Sequence, residues 1–234
     1  MNKNIFAVAM LLAISFASHA EDNPTRWEPA ISAFEADDKA NPPAPGGVLF
    51  LGSSSIRMWD LKASFPELPA LNRGFGGSEI ADSIHYFDRV VLPYKPATIV
   101  FYAGDNDIAR GKTAEEVAAD FKTFAEKVWA AFPETRIFFI GIKPSTARWN
   151  LYPEMKKANE AVRAFSAEES RLTFIDVEPA MLGEDGTPRK EYLLEDGLHM
   201  TEAGYRIWTD LVKAAQIPQG SPSGCSLLQL GRRP

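Results

Sequence analysis

The chain has 234 residues, 45% hydrophobic and 24% charged, a composition that supports one soluble domain with a sizeable core. Its formal net charge of −6 excludes the basic footprint of a nucleic-acid or anionic-membrane binder. The single cysteine, Cys225, excludes an intrachain disulfide.

Residues 1–20 read as a secretory signal. Lys3 gives a basic start, Ile5 to Phe16 is an apolar run too short to span a bilayer, and Ser18-His19-Ala20 offers small residues at both positions a signal peptidase reads. Export to a periplasmic or extracellular space is therefore expected. No cysteine follows the apolar run, so no lipid or other stable membrane anchor is expected. Of the three histidines, His19 leaves with the signal, which confines imidazole chemistry to His85 and His199.

The remaining domain is expected over 21–217. A helix is predicted over 27–39, with Trp27, Ile31 and Phe34 on one face, and the Pro/Gly-rich stretch 41–47 ends it. From there apolar runs of strand length alternate with helical patterns. Strands are predicted at 48–51, 98–103, 137–142 and 172–177, with a weaker one at 68–73. Helices are predicted at 80–91, 113–132, 152–166 and 201–215. Thr113-Ala114-Glu115-Glu116 is a capping-box match. Near-continuous Ile/Val/Phe strands between helices predict a parallel sheet covered on both faces, a three-layer α/β/α sandwich. The tail 218–234 is rich in Ser, Gly and Pro and is expected to be disordered.

Four polar segments stand at strand ends, where open α/β sheets bind ligands. Gly52-Ser53-Ser54-Ser55 follows the first strand and presents three hydroxyls. A serine there needs a base, an orienting acid and an oxyanion site before it is a nucleophile. Asn72-Arg73-Gly74-Phe75-Gly76-Gly77-Ser78 follows the second. It is either a tight turn or a place where a backbone N–H meets a ligand; Glu79 replaces the third glycine of a dinucleotide fingerprint. Gly104-Asp105-Asn106-Asp107 follows the third. Asn106 could donate to an oxyanion, Asp105 and Asp107 could hold Mg²⁺, or the segment is a polar loop. Asp196-Gly197-Leu198-His199 precedes the last helix. It reads as a surface pair or as a carboxylate orienting an imidazole. His85, inside a helical stretch, reads as a surface or packed histidine.

In this order the four segments resemble the blocks of the SGNH hydrolases, the GDSL-type esterases and lipases, over about residues 48–215. Gly52-Ser53-Ser54 is similar to the family's Gly-Asp-Ser, with Ser53 in the Asp position. Gly77 with Ser78 resembles the second block, and the Gly104 and Asp196 segments match the third and fourth. The resemblance implies a flavodoxin-like, mostly parallel sheet of about five strands. It implies Ser54 as nucleophile, His199 as base and Asp196 as its orienting acid. It also implies an oxyanion hole from the Ser54 and Gly77 N–H groups and the Asn106 side chain. No metal or organic cofactor is implied.

The reaction so implied is hydrolysis of a small-molecule ester, short acyl or acetyl esters first, through an acyl-enzyme. Lysophospholipase, thioesterase or carbohydrate deacetylase activity would use the same machinery. A non-catalytic envelope binding protein and a metal-dependent phosphoesterase are the readings from other classes. Ser53 is expected to support the turn and Ser55 to cap the following helix. Arg148, Trp149 and Tyr152 are expected either to line the substrate site or to anchor their loop. The Gly-x-Ser-x-Gly elbow is absent because Ile56 stands at its second glycine.

Overall fold

The computed structural model describes residues 24–218, so the expected signal segment and the tail beyond 218 lie outside the described residues. Five parallel strands form the sheet: β1 (Val48–Gly52), β2 (Ala70–Gly74), β3 (Thr98–Tyr102), β4 (Arg136–Ile140) and β5 (Leu172–Ile175). Their order is β2-β1-β3-β4-β5. This is the flavodoxin-like arrangement, in which the strand order reverses direction between β1 and β3.

The helices are α1 (Glu28–Ala40), α2 (Ser54–Arg57), α3 (Leu61–Ser64), α4 (Ile80–His85) and α5 (Phe87–Val90). They continue as α6 (Asp105–Ala109), α7 (Ala114–Ala131), α8 (Tyr152–Glu168), α9 (Glu178–Met181) and α10 (Glu202–Ala214). Strand alternation sorts them into two layers. Leu49, Leu51, Ile99, Phe101, Ile137 and Phe139 pack with Ile31 of α1, Ile80 of α4, Phe87 of α5, Phe121 and Phe124 of α7 and Met155 of α8. The alternate residues Phe50, Val100, Tyr102, Phe138 and Ile140 pack with Ile56 of α2, Leu61 of α3, Met181 of α9 and Trp208 of α10. Both faces are dry, which is why the central strands read as unbroken apolar runs.

Several elements differ from the sequence reading in extent. The helix expected over 80–91 is broken at Tyr86, which leaves helical geometry (φ −88°, ψ 10°) and buries its ring against Phe75. Thr113 caps α7 with the expected box, its hydroxyl accepting from Glu116 N–H while Glu116 accepts from Thr113 N–H. Asp105–Ala109 is a short helix rather than a loop. No helix among the described residues is long and apolar enough to cross a membrane.

Gly52 ends β1 where the chain must turn against β3. Its φ is +140°, and a Cβ there would lie 1.9 Å from the carbonyl oxygen of Tyr102. Only glycine tolerates both conditions. Gly52→Ala should therefore destabilise the domain by about 3 kcal/mol or more. At ~2–4 °C per kcal/mol for a domain of this size, the Tm followed by circular dichroism falls by roughly 6–12 °C. An unchanged Tm would show that the strand end relaxes without cost.

Candidate active site

All four segments singled out in the sequence converge at the carboxyl ends of β1, β2 and β3. Ser53 N–H donates to Tyr102 O (3.0 Å), and Phe75 N–H donates to Gly52 O (2.9 Å), tying the three strand ends together. α2 then starts at Ser54. Ser53 holds the N-cap position, and its carbonyl accepts from the N–H groups of Ile56 and Arg57. Ser55 lies inside the helix, so the expectation that it caps is corrected: the cap position is Ser53, two residues earlier. The hydroxyls of Ser53 and Ser55 are buried and have no hydrogen-bond partner among the described residues. Ser53 supports the turn through its backbone alone.

Ser54 is the serine that meets another functional group. Its Oγ lies 3.0 Å from His199 Nε2, across 145 residues of sequence. His199 Nδ1 lies 2.6 Å from Asp196 Oδ2, while Asp196 Oδ1 accepts the N–H groups of Leu198 and His199, both at 2.9 Å. The imidazole contact, helped by those backbone donors, pushes the Asp196 carboxyl down to about 2. An ionised carboxylate can only accept, so Nδ1 carries the proton and the Nε2 lone pair faces Ser54 Oγ. His85 is exposed on α4, its ring against Tyr86, and takes no part.

Gly77 and Asn106 flank Ser54. Gly77 has φ +77°, the left-handed region that suits glycine. Neither the Gly77 nor the Ser54 N–H has an acceptor among the described residues. Asn106 is almost wholly buried. Its Nδ2 donates one hydrogen to Ser78 O (2.9 Å), and its Oδ1 accepts from Arg148 Nη2 (2.9 Å). Arg148 also reaches Asp105 Oδ2 with Nη1 (3.0 Å), so it ties its loop to α6. Trp149 stacks on Tyr152 (centroids 5.1 Å apart), anchoring the same loop.

The carboxylates a magnesium ion would need are engaged by cations. Asp105 meets Arg148 and, at 3.9 Å, the buried Lys143. Asp107 accepts from Lys112 Nζ (3.3 Å) and from Ile80 N–H (3.1 Å). No sequence pattern marked Lys143, Lys112 or Trp27 as neighbours of these segments; the Trp27 indole Nε1–H donates to Gly76 O (3.0 Å). A lysine after a strand and a tryptophan at a helix start are ordinary in a sequence; only their partners distinguish them.

A parallel α/β sheet of order 2-1-3-4-5, with Ser, Gly, Asn and an Asp/His pair gathered at its switch point, defines the SGNH class of hydrolase. The profile of the GDSL-like lipase/acylhydrolase family matches residues 54–207. The alpha1 subunit of platelet-activating factor acetylhydrolase IB is similar over 188 residues, 77% of this chain and 78% of that protein. Identity is 30% for both the Bos taurus and the Homo sapiens proteins. A solved GDSL-like lipase from Bacteroides thetaiotaomicron superposes with a TM-score of 0.69 at 20% identity, covering 79% of this chain and 96% of that one. An acetylxylan esterase from Geobacillus stearothermophilus, solved as a catalytic mutant, gives 0.58 at 17% identity, covering 73% and 94%. This chain belongs to the GDSL-like lipase/acylhydrolase family.

Burial pushes the Asp107 carboxyl up to about 7, against the opposing effect of Lys112. The folded value lies above the 3.8 of an unburied aspartate. The stability this group contributes is therefore present in full below that value and is lost as pH rises through about 7. Asp107→Asn cannot ionise. Its Tm relative to wild type should rise between about pH 4 and pH 7 and level off above. A constant difference, or one of opposite sign, would show that Lys112 rather than burial governs this carboxyl.

Proposed function

We propose that the protein is a serine esterase in which Ser54, His199 and Asp196 form a catalytic triad. The observation that carries the reading is the unbroken chain from Ser54 Oγ through both imidazole nitrogens to Asp196, at 3.0 and 2.6 Å. Ser54 Oγ attacks the ester carbonyl carbon while Nε2 takes its proton, and Asp196 holds Nδ1–H and stabilises the imidazolium. The carbonyl oxygen, now an oxyanion, is met by the Ser54 and Gly77 N–H groups and by the second Nδ2 hydrogen of Asn106. Collapse of the tetrahedral intermediate breaks the bond to the alkoxy group, which leaves with the proton from His199. Water, deprotonated by the same nitrogen, then hydrolyses the acyl-Ser54 ester and restores the hydroxyl.

Short acyl esters, acetyl first, are the proposed substrates. The names of two similar proteins, an acetylhydrolase subunit and an acetylxylan esterase, support that choice. The proposed site of action is outside the cytoplasm, after cleavage following Ala20, as the N-terminal pattern supports.

Ser54→Ala should lower turnover of p-nitrophenyl acetate by at least about 10³-fold with folding intact, while Ser53→Ala and Ser55→Ala each retain far more activity. Equal turnover in Ser54→Ala and wild type would sink the assignment. EDTA should leave the rate unchanged; a loss restored by Mg²⁺ would favour the phosphoesterase reading of Asp105 and Asp107.

The pH–rate profile should show a single acid limb. The base works only as neutral imidazole, so rate is lost on the acid side. Asp196, held near 2, stays ionised throughout that limb. A second titration near neutrality assigned to Asp196 would contradict its role as a fixed anion.

A further inference from the structure

Two amides in this site share one construction. The Gly76–Gly77 peptide presents its carbonyl oxygen to Trp27 Nε1–H (3.0 Å) and its N–H to no acceptor among the described residues. The Asn106 side chain presents Oδ1 to Arg148 Nη2 (2.9 Å) and one Nδ2 hydrogen to Ser78 O (2.9 Å), keeping the other. In each case a side chain from elsewhere in the fold holds the oxygen end of an amide whose nitrogen keeps a hydrogen without an acceptor among the described residues. We propose that Trp27 and Arg148 are positioning residues that aim and polarise the two oxyanion donors Gly77 and Asn106. The proposal rests on the esterase reading above and deepens it.

The physical argument is the same for both. In a trans peptide the C=O and N–H point in opposite directions, so pinning Gly76 O pins the direction of Gly77 N–H. Gly77 is a left-handed glycine; the peptide after it is held by Arg26 and Arg110 on Gly77 O, and the peptide before it, which carries the Gly77 N–H, is held by the Trp27 contact. Trp27 is itself fixed. It is buried, its ring meets the edge of Phe75 at 6.1 Å, and the Arg26 guanidinium covers it at 3.6 Å.

For Asn106 the two partners demand one amide orientation. The Arg148 fork can only donate and the Ser78 carbonyl can only accept, so a flipped amide would face a donor with a donor and an acceptor with an acceptor. The second arm of the fork, on Asp105, holds the guanidinium in place. An amide that accepts a hydrogen bond at oxygen is also a stronger donor at nitrogen, so both contacts favour the charge that develops in the transition state. A guanidinium has the rigid geometry to bridge Asp105 and Asn106 at once, and a lysine has not.

The test is steady-state kinetics on p-nitrophenyl acetate with Trp27→Phe, which keeps the ring and removes the N–H, and Arg148→Lys, which keeps the charge and removes the fork. Each should lower kcat by about tenfold, less than the ~10²–10³ lost with the donor itself, with KM within about twofold of wild type. The discriminating measurement is a double-mutant cycle. In an Asn106→Ala background Arg148→Lys should cost little further, while Trp27→Phe should keep its full effect.

A merely structural Arg148 would lower activity by the same factor in both backgrounds, and that result overturns its assignment. Unchanged kcat in Trp27→Phe overturns the assignment of Trp27. Should Arg148→Lys fail to fold by circular dichroism, Arg148→Gln takes its place in the cycle with the same two outcomes. Ser54→Ala separates the layers of the argument. If it is as active as wild type, the esterase reading falls and the positioning roles fall with it. If it is inactive while both kcat values stay at wild type, the positioning roles alone are overturned.

Discussion

The contact between the carboxyl ends of β1 and β3 is what the rest of the structure depends on. In a sheet of order 2-1-3-4-5 the connections leave β1 and β3 in opposite directions, which opens a crevice between these two strands and nowhere else in the sheet. Ser54 follows β1 and Asn106 follows β3, so one topological fact brings a hydroxyl and an amide together. Close approach is then a matter of backbone packing. Gly52 lies against Tyr102 with no room for a side chain, and the Ser53 N–H to Tyr102 O bond continues the ladder one residue past the strand. The helix after β1 begins at once, so the hydroxyl sits at its first turn instead of on a mobile loop.

A second layer of charge lies beneath this crevice. Lys143 and Asp105 are both buried, and Arg148 joins them from the loop after β4. On the other side Lys112 meets Glu79, Asp107 and Asp120, and Arg110 pairs with Glu79. Burying charges is expensive even when they are paired, and removing one partner from such a pair typically costs about 3–5 kcal/mol. Apolar packing would hold the loops together at lower cost. What it would not do is fix the direction of a polar group, and every member of these networks except Asp120 lies, or has a partner that lies, within two residues of Gly77 or Asn106. The charges are placed where orientation matters, and the core on both faces of the sheet is left almost wholly apolar.

Much of this was legible in the sequence because the signals are local. The capping box of α7, the unbroken apolar strands and the glycine-marked strand ends all act over a few residues, and each is found where the pattern placed it. The histidine count did similar work: with His19 in the expected signal and His85 reading as a surface or packed residue of a helix, it left His199 as the candidate for a general base. The misreadings are also local in origin. Ser55 looked like a cap because Ser, at the start of a helix, is a cap by propensity, yet the tight turn at Gly52 puts the cap position two residues sooner, at Ser53. The break at Tyr86 follows from a ring that buries itself against Phe75, a tertiary demand that outweighs helical periodicity. What no local pattern could show is pairing at a distance. Trp27 reaches Gly76 across 49 residues and Arg148 reaches Asn106 across 42, and neither residue type marks its partner.

The family-matched region begins at Ser54 and includes Gly77, Asn106, Asp196 and His199. The segment before it is nonetheless joined to the site. Arg26 and Arg110 both donate to Gly77 O, Trp27 donates to Gly76 O, and α1 is bound to the edge strand β2 by Asp38 against Arg73 and to α5 by Glu28 and Glu35 against Arg89. The edge strand β2, which delivers Gly76 and Gly77, has a sheet neighbour on one side only, so its far end depends on what covers it. Here α1 and the turn before it provide that cover. The hydrogen bonds that join Ser54, His199 and Asp196 involve no residue of this segment, whereas the glycine loop without it would lose contacts that hold its peptides in one orientation. In this protein the geometry of the site is thus divided: the core strands bring Ser54 and Asn106 together, and a segment from outside the family-matched region holds the glycine loop beside them.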